Sequence, residues 1–318
     1  MVSLVPSLTE VLCLVGGKEL LVGRNHEDDY PPDIQDRPVL TSQRTTFTTS
    51  ADVDRQVSES LSSGQALYTL DSALLASLAP HVILTQDLCS VCAIDLAAVH
   101  RVVRAMGDPK PSVVSLNPEN FEDVIESLHT VSAAIGKQAE GRAAAEALRA
   151  RVSAALEVAG GLAAATTADL GKSRPEVAFV EWTDPVFVGG HWTPQLIELA
   201  GARHSLNPTR ESQEGQRKAG PSFKVTSEQL IASKPEILII CPCGLNLKDA
   251  GREARAMMEQ PWWPQLERSV RKIALVDGNQ MFNRPGPRLV DALEWLVAYI
   301  HDKPNLLPPD FPFEEIKK

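Results

Sequence analysis

The sequence predicts an α/β protein made of two lobes with parallel sheets, joined by one long backbone helix. Three observations carry this reading. Strand and helix signals alternate with short connections up to about residue 117, the pattern of βα units in a parallel sheet. From Pro118 to about residue 160 the strand signal stops, and Phe121, Val124, Ile125, Leu128, Val131 and Ile135 keep helical spacing. A second α/β series follows, in which "LIASKPEILIICPCG" is an internal counterpart of "LLASLAPHVILTQDLCSVC". The expected division is an N-terminal α/β lobe over 1–117, a backbone helix over 118–160 and a C-terminal α/β lobe over 173–318.

The elements follow in order. Val2 to Val5 read as a strand, and Pro6-Ser7 open a helix in which Ser7 and Glu10 fit a capping box. Leu8, Val11, Leu12 and Val15 give that helix an apolar stripe, with Cys13 among its core residues. Leu20 to Gly23 read as a short strand running into the acidic corner "NHEDDYPPDI". "SADVDRQVSESLSSG" and "LDSALLASLAP" are helices, "HVILTQ" is a buried strand, Ala93 to Met106 is a helix closed by Gly107, and "SVVSLN" is the next strand. The middle stretch, if continuous, is about 40 helical residues and a rod of about 60 Å, long enough to link two lobes. Two shorter helices joined near Gly136 are the alternative. Beyond the connector "GGLAAATTADLGKSR", strands are expected at "EVAFVEW", "EILIICPCG" and "KIALVDG". Helices are expected at "TPQLIELAG", "TSEQLIASKP" and "GPRLVDALEWLVAYI".

Composition excludes several function classes. The chain has 318 residues, of which 43% are hydrophobic and 23% charged, with a net charge of −10. That balance argues against a nucleic-acid surface, which needs clustered Lys and Arg. No apolar run approaches the roughly 18 residues of a membrane span. The start has no basic segment and no cleavage site of a secretory signal. The expectation is a trimmed mature chain in the periplasm or outside the cytoplasm, or a chain that stays inside the cell. Serine-hydrolase, zinc-protease, P-loop and dinucleotide-binding motifs are missing from strand-to-helix settings, so no enzymatic activity is expected.

In order along the chain, "VSLVPSLTEVLCLVG", "LVGRNHEDDYPP", "LAPHVILTQ", the long helix, "GGHWTPQLIELAG", "TSEQLIASKPEILII" and "FNRPGPRLVDALEWL" resemble the substrate-binding proteins of ABC importers for cobalamin and iron chelates. The resemblance covers nearly the whole chain and is nearest to the cobalamin-binding branch. It implies the class III, helical-backbone periplasmic-binding-protein fold, with two Rossmann-like lobes. It also implies non-catalytic binding of cobalamin (vitamin B12) or a related corrinoid in the cleft between them, a monomer, and ABC-importer membrane subunits as partners. Tyr30, Phe282 and Arg284 are carried over as ligand contacts. Glu228 matches the second-lobe carboxylate that docks on the transporter. At the first-lobe position the chain has Ala73, with Asp71 two residues earlier, and Ser222-Phe223 stand where near relatives have a Trp.

The residues themselves nominate a site. Strand ends gather at one edge of a parallel sheet, so His26, Tyr30, Cys89 and Cys92 are expected on one rim, facing Trp182, His191, Trp192 and Phe282. His26 is a candidate imidazole ligand to cobalt, and with its acidic neighbours a candidate metal ligand. The five cysteines are Cys13, Cys89, Cys92, Cys241 and Cys243. Cys89 and Cys92 read as pocket lip, half-buried packing thiols, metal clip, disulfide or redox pair. With Cys241 and Cys243 they leave open a second function class, an intracellular zinc- or iron-handling or thiol redox protein on the same scaffold. Gly189-Gly190 permit close backbone approach beside His191 and Trp192. Trp262-Trp263 read as a surface bracket, and His81, His100, His129, His204 and His301 as structural.

Overall fold

Pro6 stops the first strand after two residues, because a residue without an N–H can open a helix but not continue a ladder. In the computed structural model, which describes residues 1–87, 94–170, 174–212 and 217–317, that strand is β1 (Val2–Ser3) and the helix is α1 (Pro6–Leu14). The chain divides into two compact units, one of residues 1–48 and 52–148 and the other of residues 49–51 and 149–318.

The first unit continues with β2 (Thr41–Gln43), α2 (Ser50–Ser62), whose first two residues belong to the second unit, β3 (Tyr68–Leu70) and α3 (Ser72–Leu78). β4 (Val82–Thr85), α4 (Leu96–Ala105), β5 (Ser112–Ser115) and α5 (Phe121–Ala134) complete it. Its sheet runs β1-β4-β5, wholly parallel, with Val2 paired to Ile83 and Ile83 to Val113. All four residues of β4 are buried, as expected of a strand covered on both faces. Val2, Leu4, Leu40, Leu75, Ile83, Val99 and Val103 form the core beneath the helices, and α1 packs on α5. The strand expected over Leu20 to Gly23 is reduced to isolated parallel bridges, Val2 to Gly23 and Arg24 to Val39. A 3-10 turn at Lys18–Leu20 takes up the preceding residues.

The stretch expected as one helix from Pro118 to residue 160 is two helices. α5 ends at Ala134, and Gly136, at φ +70°, occupies the left-handed conformation that closes a helix and that glycine adopts without strain. α6 (Gln138–Leu170) then runs 33 residues, about 50 Å at the α-helical rise. Its residues through Leu148 fall in the first unit and those from Arg149 in the second.

The second unit contains β6 (Val177–Thr183), β7 (Val186–Val188), α7 (Trp192–Leu199), β8 (Arg210–Glu211), β9 (Arg217–Lys218), β10 (Phe223–Lys224) and α8 (Ser227–Ala232). β11 (Ile237–Ile240), α9 (Leu247–Met258), α10 (Trp263–Glu267), β12 (Lys272–Val276), α11 (Leu289–Ile300) and β13 (Phe313–Ile316) follow. The sheet order is β10-β7-β6-β11-β12-β13. Its centre, β6-β11-β12, is parallel; β7, β10 and β13 pair antiparallel at the margins. The parallel sheet expected here is therefore mixed. Two residues, Asp184-Pro185, join β6 to β7, and so short a link admits only an antiparallel hairpin.

α11 is buried along most of its length, and its Trp295 stacks on Tyr299 at 4.9 Å and on Phe311 at 5.1 Å between ring centres. Arg151 of α6 is bound to α11 through Asp291 (2.5 Å) and Glu294 (2.7 Å). His204 is 1% exposed, and its Nδ1 lies 2.9 Å from the Val177 carbonyl. A carbonyl only accepts, so Nδ1 donates.

Burial pushes the His204 imidazole down to about 4, against a value near 6.5 in the unfolded chain. Between those values the unfolded state binds the extra proton, so His204 adds stability above pH 6.5 that is lost as pH falls toward 4. Urea denaturation at pH 7 and pH 4.5 should show a loss of about 2–3 kcal/mol from this residue, and His204→Gln should remove that share of the pH slope.

Candidate functional site

In the first unit the carboxyl edge of the sheet is bordered by the corner that starts at Asn25, and that corner is built from inside. Asn25 Nδ2 donates to the Leu4 carbonyl (2.7 Å), and its Oδ1 accepts from the Glu27 N–H (2.8 Å). Asp28 is buried; its Oδ2 accepts from the Thr9 hydroxyl (2.9 Å) and from the Asn25 N–H (3.0 Å). Arg24 Nη1 donates to the carbonyls of Asn25 (3.1 Å) and Asp28 (3.2 Å). The His-Glu-Asp-Asp run is thus a folded corner with one carboxylate turned inward. Among the described residues no group of three or more His, Cys, Asp and Glu is placed to hold a metal ion.

His26 is half-buried at this edge. Its backbone N–H donates to Thr41 Oγ1 (3.0 Å), its ring Nδ1 lies 2.7 Å from the same oxygen, and its ring centre is 6.0 Å from that of Tyr68. Burial lowers its pKa, and the nearby Glu27 opposes this more weakly. Its Nε2 is sealed from solvent with no hydrogen-bond partner among the described residues. The same holds for Thr85 Oγ1 and Ser115 Oγ, the last residues of β4 and β5, paired in register. Tyr30 is 46% exposed. Cys89 and Cys92 lie outside the described residues. Asp71 caps α3 by accepting from the Leu74 N–H (2.9 Å).

In the second unit Trp182, expected to offer its ring to a ligand, uses its polar atom structurally: Nε1 donates to the Ser50 carbonyl (3.1 Å). Ser50 is held twice more. Its N–H donates to Glu253 Oε2 (2.8 Å), and its hydroxyl meets Thr183 Oγ1 (2.8 Å). Beside this clamp, at the carboxyl end of β6, lies a cavity of about 360 Å³ lined by Thr183, Asp184, Val186, Glu253, Met257 and Trp262. Its size suits a small molecule or one part of a larger one. Trp262 lines it, where a surface bracket was expected.

His191 and Trp192 open α7. His191 is held at φ +53°, ψ −114°, its N–H donates to the Gly220 carbonyl (2.9 Å), and its ring stacks on Trp192 at 5.5 Å. A non-glycine residue in that conformation is strained and persists where its surroundings impose it. Two features impose it. A Cβ on Gly190 would collide with the backbone of Pro221 and Ser222. Asn207 Nδ2 lies 3.0 Å from the Gly189 carbonyl, 3.1 Å from that of Gly220 and 3.3 Å from that of Pro221.

Trp192 is 6% exposed, and its Nε1 donates to the Phe282 carbonyl (2.6 Å). Phe282, 1% exposed, packs 5.0 Å from Phe179 and edge-on to Trp295 and Phe311. Both rings were expected at a ligand; here both are buried, and Phe282 joins the aromatic cluster around α11. Arg284 is buried as well. Cys241 is buried with its thiol pushed well above the ordinary range by burial, whereas Cys243 is exposed, so the two do not face a common point. Glu228 is exposed in the first turn of α8, and the Thr226 hydroxyl and its own backbone N–H hold its carboxyl below the usual range.

Thr41, Tyr68, Thr183 and Glu253 were not anticipated. One left a signal: Glu253 is a charged residue on the stripe of Ala250, Ala254 and Met257, which the helical period buries. Thr41 and Tyr68 sit on paired strands, Thr41 opposite Leu70 and Tyr68 opposite Gln43, a register to which no local pattern points.

No protein-family model matches the sequence, and no curated protein matches it. Solved structures do. A periplasmic heme-binding protein from Pseudomonas aeruginosa superposes with a TM-score of 0.70 at 18% identity, over 100% of this chain and 97% of that one. The periplasmic vitamin B12 binding protein of Vibrio cholerae gives 0.63 at 16% identity, over 95% and 96%. A possible iron-binding, periplasmic solute-binding protein from Staphylococcus epidermidis gives 0.64 at 18% identity, over 94% and 97%. The chain therefore has the fold of these periplasmic binding proteins, the class III fold that its motifs resemble.

The Ser50 clamp has a measurable weight. Glu253→Ala leaves the buried Ser50 N–H without its acceptor and should cost about 1–3 kcal/mol in urea denaturation. Ser50→Ala, which removes the hydroxyl that meets Thr183, should cost about 1 kcal/mol. Trp192→Phe should likewise lower stability by about 1 kcal/mol through the lost bond to Phe282.

Proposed function

We propose that this protein is a non-catalytic substrate-binding protein that captures cobalamin or a related corrinoid for an ABC importer. The observation that carries the proposal is the match, over nearly the full chain, to the fold of periplasmic proteins that bind heme, vitamin B12 and iron. The corrinoid is preferred among these on the "HEDDYPP" and "QDLCSVC" motifs, which resemble the cobalamin-binding branch. The ligand-facing groups are taken to be those at the carboxyl edges: His26, Tyr30 and Tyr68 in the first unit, and His191 with the cavity beside Trp182 in the second. Cys89 and Cys92 remain part of this proposed set through the motif.

Glu228 supports a partnership with importer membrane subunits, because it is exposed, ionised and placed at the start of a short helix. Asp71 is the proposed first-unit counterpart. An extracytoplasmic location goes with this role. Among the described residues no helix is long and apolar enough to cross a membrane. The second function class, zinc or iron handling or thiol redox chemistry, is not favoured, since Cys241 is a buried thiol held in its protonated form.

Titration of the purified protein with cyanocobalamin, and separately with haemin, tests the proposal by absorption of the bound macrocycle. Saturable, equimolar binding of cyanocobalamin is expected, stronger than that of haemin. Saturation by haemin alone would move the ligand from corrinoid to porphyrin, and no saturable change with either at high micromolar concentration would exclude the function.

A further inference from the structure

We infer that the cavity at the carboxyl end of β6 is a binding site for an organic cation, a guanidinium or primary ammonium group carried on a short apolar stem. This goes beyond the macrocycle binding proposed above, because it concerns the chemistry of the cavity itself and is tested without a macrocycle.

The cavity holds about 360 Å³, and every residue that lines it belongs to the second unit. That volume is in the range of small-molecule sites. Val186, Val225 and Met257 give it a buried apolar surface, whereas Asp184 is exposed and Trp262 half-buried. The lining thus combines a surface for a hydrocarbon stem with carboxylates at two depths, Asp184 in contact with water and Glu253 at 5% exposure.

The sign of the charge selects the occupant. Asp184 and Glu253 line the cavity, and no Lys, Arg or His does. Glu253 Oε2 accepts from the Ser50 N–H (2.8 Å). Arg252 Nε lies 3.7 Å from Glu253 Oε1, too far for a hydrogen bond, and the Arg252 side chain is 51% exposed. A carboxylate oxygen accepts more than one hydrogen bond, so Glu253 keeps acceptor capacity that the described residues leave unused. A buried carboxylate is costly until hydrogen bonds and a counter-charge compensate it, and one N–H with a half-exposed guanidinium does so only in part. An entering cation completes the compensation through charge-assisted bonds to that carboxylate. The ring face of Trp262 adds attraction for ammonium and guanidinium groups. An anion meets the reverse, two carboxylates in a recess where charges are poorly screened. A bare metal ion fits no better: no group of three or more His, Cys, Asp and Glu is placed to hold one among the described residues, and an ion has no stem to cover the apolar surface.

Two sources carry such a group, a free amine and the Arg or Lys side chain of a protein partner. Agmatine, a guanidinium and an ammonium on one short stem, represents the first, and Nα-acetyl-arginine amide the second. The protein, labelled at its methionine methyl and tryptophan indole groups, is titrated with each at neutral pH and followed by NMR. The Met257 and Trp262 signals are assigned by their loss in Met257→Leu and Trp262→Phe. Saturable shifts of both signals are expected with a cation, and none with acetate or with uncharged butyramide. Saturation by agmatine alone assigns the site to a free amine; saturation by the capped arginine assigns it to a presented side chain; both support the inference. Glu253→Gln, which keeps an oxygen for the Ser50 N–H and loses the charge, should weaken binding about tenfold or more. Asp184→Asn, on the exposed side, should weaken it about threefold, an effect that fades with added salt. Circular dichroism checks folding, and if Glu253→Gln does not fold, Asp184→Asn and the acetate and butyramide comparisons decide. No saturable shift with either cation, equal shifts with butyramide, or undiminished binding in folded Glu253→Gln overturns the inference. Failure to bind cyanocobalamin would overturn the function proposed above and leave the cation site standing.

Discussion

Two neighbouring parallel strands have to be joined by a crossover, so their carboxyl ends collect on one edge while their amino ends collect on the other. Most of what this chain places at its candidate site follows from that constraint. β1, β4 and β5 in the first unit and β6, β11 and β12 in the second are parallel; β1, β4 and β11 are buried throughout. Thr85, Ser115 and Thr183 are the last residues of their strands. The backbone ladder satisfies their main-chain groups; it leaves their side chains to find partners on the edge. In the second unit Thr183 finds Ser50. In the first, Thr85 and Ser115 find none among the described residues.

The aromatic side chains show how a core competes with a site for the same residues. Trp192 and Phe282 are the kind of flat, amphipathic groups that bind macrocycles, yet the second unit uses them to close its own interior. Trp192 spends its one donor on the Phe282 carbonyl, and the Phe282 ring completes a cluster with Phe179, Trp295 and Phe311. The consequence reaches the surface. Packing of Trp192 fixes the start of α7, and His191 is left stacked on it in a strained backbone conformation. A core contact thereby positions an edge residue. Trp182 does the same in another way, since its indole N–H holds Ser50 at the rim of the cavity that Glu253 and Thr183 also line.

Polar bookkeeping separates the two faces of the His26 corner. Asn25, Asp28 and Arg24 are hydrogen-bonded within the corner and to adjacent carbonyls. His26 is tied into it by one threonine hydroxyl that serves both its backbone and its ring. The result is an imidazole whose Nδ1 meets Thr41 and whose Nε2 has no hydrogen-bond partner among the described residues.

The alternation of strand and helix signals determined the α/β class, and the loss of strand signal after Pro118 determined where the helical segment lies, because periods of 2 and 3.6 are local properties of the chain. The motif order along the chain was enough to indicate the binding-protein fold that the solved structures share. The break at Gly136 was legible only as an alternative, since a glycine inside a helical period ends a helix in one context and is tolerated in another. What the tertiary structure alone decided was the assignment of individual side chains. Whether Phe282 faces a ligand or Trp295, whether Asp28 points to solvent or to Thr9, and which nitrogen of His26 meets Thr41 depend on contacts between residues distant in sequence. Such contacts arise from the register of strands and the packing of helices, and neither leaves a local pattern in the chain.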